Sequence, residues 1–324
     1  MTPTMRAAYI TEHGTPDVIR YADLPVPTPG PTDVLVKVDM VSVNHVDTFV
    51  RSGAYATSTP FPFVIGRDLV GTVAGSSVAR FAPGDRVWSN SLGHAGRQGS
   101  FAEYAAVPHD RLYHLPDGVD AELAAPLLHT AATAHLALFR TGSLAPGETV
   151  LIAGAGGGVG SALVQLAAAA GARVVATCSP TDFEWCETCG AEQVFDYADP
   201  ELNTRLREAA GDGYDLWIDN SGRHDLQTAV AALAHGGRII ALAGMTARPE
   251  LPIGALYTKD ASIRGFAISN ASTADLADAA RLVNHLLSTK RLVSRARSPI
   301  PLSQAAEAHR QMEAGARDRI LLTV

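Results

Sequence analysis

Residues 149–166 read TVLIAGAGGGVGSALVQL, and this stretch decides the fold. Residues 149–153 form a short apolar run, which is typical of a parallel strand covered on both faces. Val159, Leu163 and Leu166 then recur at helical spacing, which predicts a helix directly after the glycines. A strand, a glycine-rich turn and a helix in this order are the parts of a βα unit that can hold a nucleotide.

The same alternation of apolar runs and helical stretches continues beyond this unit. Further short apolar runs, each read as a strand, lie at residues 173–177, 193–195, 215–219 and 238–242, and the pattern changes after residues 262–266. Repeated βα units predict a doubly wound parallel sheet with right-handed crossovers. The stretch before the first unit, residues 121–138, is rich in alanine and leucine and is predicted to be helical.

The N-terminal part has a different texture. Short β-branched runs separated by proline and glycine turns predict strands at residues 5–10, 33–39, 69–74 and 86–88. Strands this short and evenly punctuated predict a partly open barrel. At the other end, helices are predicted at 274–287 and 303–313 and a strand at 319–323. This tail is expected to rejoin the first domain.

Composition restricts the class of protein. The chain has 324 residues, which suits two domains, and 47% hydrophobic with 18% charged residues indicate a globular protein. The net charge of −7 and the lack of any basic run argue against nucleic acid as a partner. The most apolar stretch, residues 161–176, is interrupted by Gln165, Gly171 and Arg173, so no membrane span is expected.

Cysteine usage and the N-terminal residues bear on the compartment. Cys178, Cys186 and Cys189 are an odd number of cysteines in one short segment, which does not make a disulfide framework. Residues 1–14 lack the apolar core of a signal peptide. We therefore expect a reducing, cytoplasmic environment.

The glycine-rich turn has a specific chemistry. One glycine permits the tight turn, one lets the backbone approach a pyrophosphate, and one lets the helix pack on the strand. The helix N-terminus then offers N–H groups and a positive dipole end to the phosphates. The alternative is a glycine-rich turn that binds nothing. The strand and helix on either side favour a dinucleotide, bound by Ala155, Gly156, Gly157, Gly158, Val159 and Gly160.

The end of the second strand bears on which dinucleotide binds. NAD enzymes usually place an acid there, about 20 residues after the turn, to bind the ribose 2′-hydroxyl. Here the strand ends in Thr177, Cys178 and Ser179. The missing acid favours NADPH, while Asp182 and Glu184 just beyond would repel a 2′-phosphate and leave NADH as the alternative.

Motifs along almost the whole chain occur in the order seen in one known family. They lie at residues 44–47 (NHVD), 51–55 (RSGAY), 62–71 (PFVIGRDLVG), 84–87 (GDRV), 99–104 (GSFAEY) and 301–309 (PLSQAAEAH). With these motifs the chain resembles the zinc-independent quinone oxidoreductases, of the zeta-crystallin type, within the medium-chain dehydrogenase/reductase superfamily.

The resemblance implies a fold and an activity. It implies an α/β protein in which a Rossmann domain, residues 123–265, is inserted in a β-rich, GroES-like, partly open barrel made of residues 1–122 and 266–324. It also implies an NADPH-dependent enzyme, an NADPH:quinone oxidoreductase or enone reductase, that passes hydride to a quinone or an α,β-unsaturated carbonyl. A homodimer is expected.

The resemblance also extends to individual positions. Asn44, Tyr55 and Thr133 match family positions near the nicotinamide. Further cofactor contacts are expected from Thr177, Ser179, Tyr197, Asn220, Ser221, Gly244, Phe266 and Arg319.

Three positions depart from the family pattern. Many members carry a lysine for the 2′-phosphate where this chain has Asp182. The usual Gly-Lys before the last strand is replaced by Asp318 and Arg319. His45 replaces an apolar residue or proline after Asn44, and adds a titratable group.

Zinc ligands of the related alcohol dehydrogenases are missing from the motifs. The region of the first ligand reads Val43-Asn44-His45 without cysteine, and the glycine-histidine-glutamate motif is replaced by Gly66-Arg67-Asp68. Because zinc prefers cysteine and histidine ligands, no metal site is expected. Cys186 and Cys189 are read as residues of a helix.

Three side chains are candidates for the chemistry. Reduction places charge on the acceptor oxygen, where a hydrogen-bond donor lowers the barrier, and a proton must follow. Tyr55, His45 and Asn44 are the predicted catalytic residues. Their structural alternatives are a loop aromatic, a histidine without a role and a turn-forming asparagine.

Two other functions remain alternatives to quinone or enone reduction. One is an enoyl thioester reductase of a biosynthetic pathway. The other is a crystallin-like protein that binds NADPH without turnover.

Overall fold

The structure is a computed structural model that describes residues 3–324. The described chain divides into two compact units. The split unit consists of the chain up to His129 together with Ser272–Val324. The continuous unit consists of Thr130–Ala271.

Sixteen strands and ten α-helices are found in the described residues. The strands are β1 (Thr4–Ile10), β2 (Arg20–Pro25), β3 (Asp33–Ser42), β4 (Phe63–Val64), β5 (Leu69–Ser76), β6 (Arg86–Ser89), β7 (Tyr104–Pro108), β8 (Tyr113–His114), β9 (Thr149–Ala153), β10 (Arg173–Cys178), β11 (Gln193–Asp196), β12 (Tyr214–Asp219), β13 (Leu233–Ala241), β14 (Ser262–Gly265), β15 (Ile300–Pro301) and β16 (Leu321–Thr323). The helices are α1 (His45–Ser52), α2 (Ala121–Ala124), α3 (Leu128–His135), α4 (Gly158–Ala169), α5 (Phe183–Thr188), α6 (Leu202–Ala210), α7 (Leu226–Ala232), α8 (Ile253–Tyr257), α9 (Thr273–Ser288) and α10 (Ala305–Glu313).

The split unit is built on two small sheets. One has the order β15-β16-β3-β5-β6-β8, with β7 paired to β3, and the other has the order β2-β1-β4. Apart from the parallel pair β15 and β16, neighbouring strands are antiparallel. Leu302, Met312 and Ile320 from the C-terminal tail are buried in the same core as Phe63 and Leu69. The C-terminal tail therefore contributes to the core of the split unit.

The continuous unit is a six-stranded parallel sheet with the order β11-β10-β9-β12-β13-β14. The chain starts at β9, moves outward to β10 and β11, and then returns to the other side of β9 with β12. This is the doubly wound arrangement with a switch point at β9. Leu151, Val175, Trp217 and Ile239 are buried in its core. The prediction of an α/β Rossmann sheet is confirmed.

The stretch 121–138 differs from the prediction of one helix. Helix α2 ends at Ala124, α3 begins at Leu128, and a π-helical segment follows at Leu136–Thr141. Pro126 lies between α2 and α3. Proline lacks the backbone N–H and disfavours helical geometry in the residue before it, so it separates the two helices.

One buried histidine of the split unit has consequences for stability. His309, on α10, is fully buried, its ring packs edge-on against Phe101, and neither ring nitrogen has a hydrogen-bond partner among residues 3–324. Burial, with a smaller contribution from the charge of Arg51, lowers the pKa of His309 to about 3. The folded protein therefore keeps this ring neutral at pH values where the unfolded chain protonates it.

We expect the substitution His309→Leu to change how stability depends on pH. Below pH 6.5 the unfolded chain binds a proton that folded His309 does not, so the wild-type protein loses about 1.4 kcal/mol per pH unit as the pH falls towards 3. The leucine variant lacks this loss. When the pH is lowered from 7 to 5, its unfolding free energy should rise by about 2 kcal/mol relative to that of the wild type, as measured by urea unfolding. If the difference in unfolding free energy between the two proteins stays constant with pH, this reasoning is wrong.

Candidate functional site

The glycine turn between β9 and α4 has the geometry that a pyrophosphate needs. Gly157 precedes the helix in an extended conformation, with φ −78° and ψ 172°. A Cβ atom on Gly157 would meet only the carbonyl oxygen of Gly154, at 3.8 Å. A Cβ on Gly160 would lie 2.1 Å from that same oxygen and 2.7 Å from the Cα of Ala155. Gly160 therefore lets the helix pack on the turn, whereas Gly157 leaves open space.

A cavity of about 540 Å³ opens at the carboxyl ends of the strands in the continuous unit. We call it the strand-end cavity. Of the predicted cofactor contacts, the ones that line it are Gly156, Gly157, Thr177, Ser179, Tyr197 and Ser221. In doubly wound sheets this edge, at the switch point, is where nucleotides bind.

Other predicted cofactor contacts in this unit lie outside the lining of the cavity. Ala155 is buried, and Gly158, Val159 and Gly160 form the start of α4. Thr133 is buried on α3, and Asn220 donates its backbone N–H to the carbonyl of Ala153. Gly244 has a positive φ of +80°, and the backbone N–H of Phe266 binds the carbonyl of Ala241.

Asp219, at the end of β12, organises the loop that follows it. Its Oδ1 accepts hydrogen bonds from the backbone N–H of Ser221 at 2.9 Å, from the Ser221 hydroxyl at 2.8 Å and from the N–H of Gly222 at 3.1 Å. Its Oδ2 accepts the N–H of His224 at 3.1 Å and lies 3.0 Å from the ring Nδ1 of His224. The other ring nitrogen of His224 is 2.7 Å from the carbonyl oxygen of Ala243. This carboxylate fixes the position of Ser221.

Several residues that line the cavity were not predicted as contacts, and two of them have a sequence signal. Asp219 and Arg223 both line the cavity, and both follow the apolar core of the fourth Rossmann strand. Polar residues at the carboxyl ends of neighbouring parallel strands are brought to one edge of the sheet. Reading every strand end in this way would have found them.

Asp182 occupies a definite position beside the turn. It is buried at the start of α5, and a Cβ atom on Gly156 would lie 2.6 Å from its Oδ2. The carboxylate is therefore packed directly against the glycine turn. Because Asp182 stands where the resemblance leads one to expect a lysine, the residues after β10 bring no cation to this part of the cavity.

The split unit holds a buried polar network around Asn44. The Asn44 amide donates to Oδ2 of Asp68 at 2.8 Å and to the carbonyl of Ser42 at 3.3 Å, and its oxygen accepts a hydrogen bond from Arg319 at 2.6 Å. Arg319 also donates to the Ser42 hydroxyl at 2.9 Å. Both amide hydrogens of Asn44 are engaged within the protein. Asn44 and Arg319 thus hold each other and the start of α1 in place.

More charges lie beside this network. The carboxylate of Asp47 accepts the backbone N–H of Asn44 at 2.7 Å, which caps α1. Burial, together with the negative charge of Asp68, raises the pKa of Asp47 to about 7. Arg67 is buried near both acids, and burial lowers its pKa from the usual arginine value. Nδ1 of His129 lies 3.4 Å from the free oxygen of Asp68.

The two remaining predicted catalytic residues are also in the split unit. Tyr55 is partly buried against the core, and its ring lies edge-on to His94 with 6.1 Å between the centroids. His45 is the first residue of α1 and is exposed. Desolvation of the ring, and to a smaller extent the positive charge of Arg319, lower the pKa of His45. The lowered pKa favours the neutral form of this ring.

The three cysteines are buried, and none of them forms a disulfide within residues 3–324. Cys178 lies on β10, Cys186 on α5, and Cys189 directly after that helix. A hydrogen bond with Cys186 and burial both raise the pKa of the Cys178 thiol, which keeps it protonated and unreactive. Within residues 3–324 no group of three or more histidine, cysteine or acidic side chains is arranged to hold a metal ion. No helix in that range has the length and apolar character to span a membrane.

Each of the two units contains a segment that matches a known protein family. Residues 30–117 match the alcohol dehydrogenase GroES-like domain, and residues 158–285 match the family described as zinc-binding dehydrogenase. The quinone oxidoreductase of Mus musculus is 32% identical over 312 residues, covering 94% of this chain and 93% of the mouse protein.

Solved structures agree with this placement. A crystal structure of an NAD-dependent alcohol dehydrogenase superposes with a TM-score of 0.89 at 30% identity, covering 99% of this chain and 100% of that one. A mycobacterial protein whose structure holds NADPH gives a TM-score of 0.87 at 29% identity, with the same coverage. The chain is therefore an oxidoreductase that belongs to the quinone oxidoreductase family of the medium-chain dehydrogenases and reductases.

Proposed function

We propose that the protein is an NADPH-dependent reductase that transfers hydride to a quinone or an α,β-unsaturated carbonyl. The observation that carries this proposal is the turn at Gly157, which leaves open space beside a cavity lined by the ends of β9, β10 and β12. A dinucleotide needs such an approach of its pyrophosphate to backbone N–H groups. The mouse relative is a quinone oxidoreductase, and the mycobacterial neighbour was solved with NADPH.

The residues of this chain would bind and orient the cofactor and the acceptor, and would supply a proton. When bound, the nicotinamide supplies the hydride. The phenol of Tyr55 is the proposed hydrogen-bond donor to the acceptor oxygen. Neutral His45, exposed at the start of α1, is proposed to pass a proton from water to the product. Asn44 is proposed to position α1, because both hydrogens of its amide are bound by Ser42 and Asp68.

We propose that this reaction needs no zinc. The matched family description includes zinc binding, but the residues present do not fit the metal. Arg67 and Arg319 are buried beside Asp47 and Asp68, and each guanidinium is electrostatically coupled to both carboxylates. A divalent cation at these acids would face two fixed positive charges. Metal analysis of the purified protein, expected to show less than one zinc per ten chains, tests this.

Steady-state kinetics test the proposed function. The wild-type protein should oxidise NADPH with 1,4-benzoquinone or a simple enone as acceptor, followed by loss of absorbance at 340 nm. Tyr55→Phe should lower kcat about 10- to 100-fold with little effect on KM, since one hydrogen bond to a developing charge is lost. Binding of NADPH without turnover of any quinone, enone or enoyl thioester would support a non-catalytic protein instead. A preference for enoyl thioesters would identify the biosynthetic alternative.

We also propose a homodimer that forms through the continuous unit. In the described part of the chain β14 ends the sheet and pairs only with β13, which leaves an open edge. Ile253 and Tyr257, on the neighbouring helix α8, are 58% and 67% exposed. An open edge beside exposed apolar side chains is suited to pairing with a second copy. Sedimentation equilibrium giving the mass of a single chain would refute the dimer.

A further inference from the structure

We propose that Arg223 binds the 2′-phosphate of NADPH and sets the preference of this protein for NADPH over NADH. This inference rests on the proposed function, because it assigns a residue to the cofactor that the function requires. It concerns a side chain on the loop after β12, and not the segment after β10 where the cation was expected.

The position of Arg223 is the first observation. Arg223 lines the strand-end cavity, and it is the one arginine or lysine among the described residues that do so. Its guanidinium carbon lies 4.4 Å from the centre of the Tyr197 ring. Tyr197, which follows β11, lines the same cavity and is 44% exposed. Ser179, directly after β10, also lines the cavity.

The partners of the neighbouring acids are the second observation. Asp219 accepts four hydrogen bonds from its own loop and faces His224. Asp225 accepts the backbone N–H and the hydroxyl of Thr228, at 3.0 and 2.8 Å. Asp199 is paired with Arg205 at 3.2 Å. These carboxylates, although they line the cavity, are bound within the protein.

Arg223 contrasts with these acids. Within residues 3–324 its guanidinium has an aromatic contact with Tyr197 but neither a carboxylate nor a carbonyl oxygen as partner. A guanidinium carries five N–H donors in a planar fork that matches a phosphate. Stacking on Tyr197 holds the fork in one orientation, which reduces the entropy lost on binding. The guanidinium is therefore suited to bind an anion with several acceptor oxygens.

The position of Asp182 explains why this arginine is used. The carboxylate of Asp182 is packed against Gly156, where it adds negative charge to the segment after β10. A 2′-phosphate near Ser179 then needs a cation from another strand end. Since the carboxyl ends of parallel strands meet at one edge of the sheet, the loop after β12 is such a source.

The experiment compares ligands that differ only in the 2′-phosphate. Binding of NADPH, NADH, 2′,5′-ADP and 5′-AMP is titrated by calorimetry to wild type, Arg223→Gln and Arg223→Lys. We expect Arg223→Gln to weaken NADPH and 2′,5′-ADP about 10- to 100-fold and NADH and 5′-AMP less than about twofold, because a charge-assisted contact is lost. Arg223→Lys should keep part of the preference. Arg207→Gln makes an equal charge change at an exposed position of α6 that does not line the cavity, and it should change no affinity.

The outcomes separate the inference from the proposed function. An equal loss for all four ligands would show that Arg223 stacks on adenine, and would overturn the inference while the proposed function stands. The inference would also be wrong, with the proposed function intact, if the wild-type protein binds NADPH and NADH equally. It would be wrong in the same way if Arg223→Gln keeps both the NADPH preference and the melting temperature of the wild type. A wild-type protein that binds neither dinucleotide would overturn both.

Discussion

Replacing Gly157 with alanine should weaken NADPH binding about 10- to 100-fold and leave the folded protein as stable as wild type. The new methyl group would have a single protein neighbour, the Gly154 oxygen at 3.8 Å, and the backbone at Gly157 has dihedral angles that alanine adopts readily. The methyl would instead occupy the space through which a pyrophosphate approaches the turn. Overpacking by a methyl group costs about 1–3 kcal/mol, which corresponds to this loss of affinity.

Gly160→Ala should behave differently, because the obstruction lies inside the protein. Its Cβ would be 2.1 Å from the Gly154 oxygen and 2.7 Å from the Cα of Ala155, which are backbone atoms that cannot rotate away. Helix α4 would have to move off the strand. We expect a loss of unfolding free energy at or above the upper end of about 1–3 kcal/mol, together with loss of cofactor binding.

The two glycine variants are measured by calorimetric titration with NADPH and by urea unfolding. Gly75→Ala is the matched control, because a Cβ on this glycine of β5 meets no atom within 4 Å. It should leave NADPH affinity unchanged and stability equal or slightly higher. If Gly157→Ala binds NADPH as tightly as wild type, the pyrophosphate does not lie on this turn.

The continuous unit could be predicted from sequence because its rules are local. The run at residues 149–153, the turn and the helix each follow from the order of residue types, and each apolar run became a strand of the sheet. Pro126 carries an equally local signal, and neglect of it produced the wrong single helix at 121–138. The glycine roles followed from the same mechanics, since Gly160 packs and Gly157 stays open.

The polar contacts of the site could not be predicted because they join residues far apart in sequence. The amide of Asn44 binds Asp68 and Arg319, which are 24 and 275 positions away. The resemblance placed Asn44 and Arg319 beside the cofactor but did not indicate that they bind each other. Likewise, Arg223 stacks on Tyr197 across the end of the sheet, because the two residues follow β12 and β11, which β9 and β10 separate. A sequence pattern does not show which of these distant residues come into contact.

The same long-range network should dominate the stability of the split unit. Asp68→Leu is expected to cost about 3–5 kcal/mol, because buried Arg319 would lose the larger of its two compensating charges and the Asn44 amide would lose its acceptor. Arg319→Met should cost a similar amount, since the oxygen of Asn44 and the carboxylate of Asp68 lose their cation.

The double variant tests whether the two charges act on each other. Asp68→Leu with Arg319→Met removes both, so it should be more stable than the sum of the single losses predicts, by up to about 3 kcal/mol. Asp23→Leu is the control, because its ion pair with Arg6 joins side chains that are 61% and 45% exposed, and such pairs contribute less than about 1 kcal/mol. Unfolding in urea measures the wild-type protein and all four variants, and soluble yield replaces it for a single variant that does not fold. Additive losses in the double variant would show that Asp68 and Arg319 stabilise the unit independently, through Asn44 and Ser42 alone.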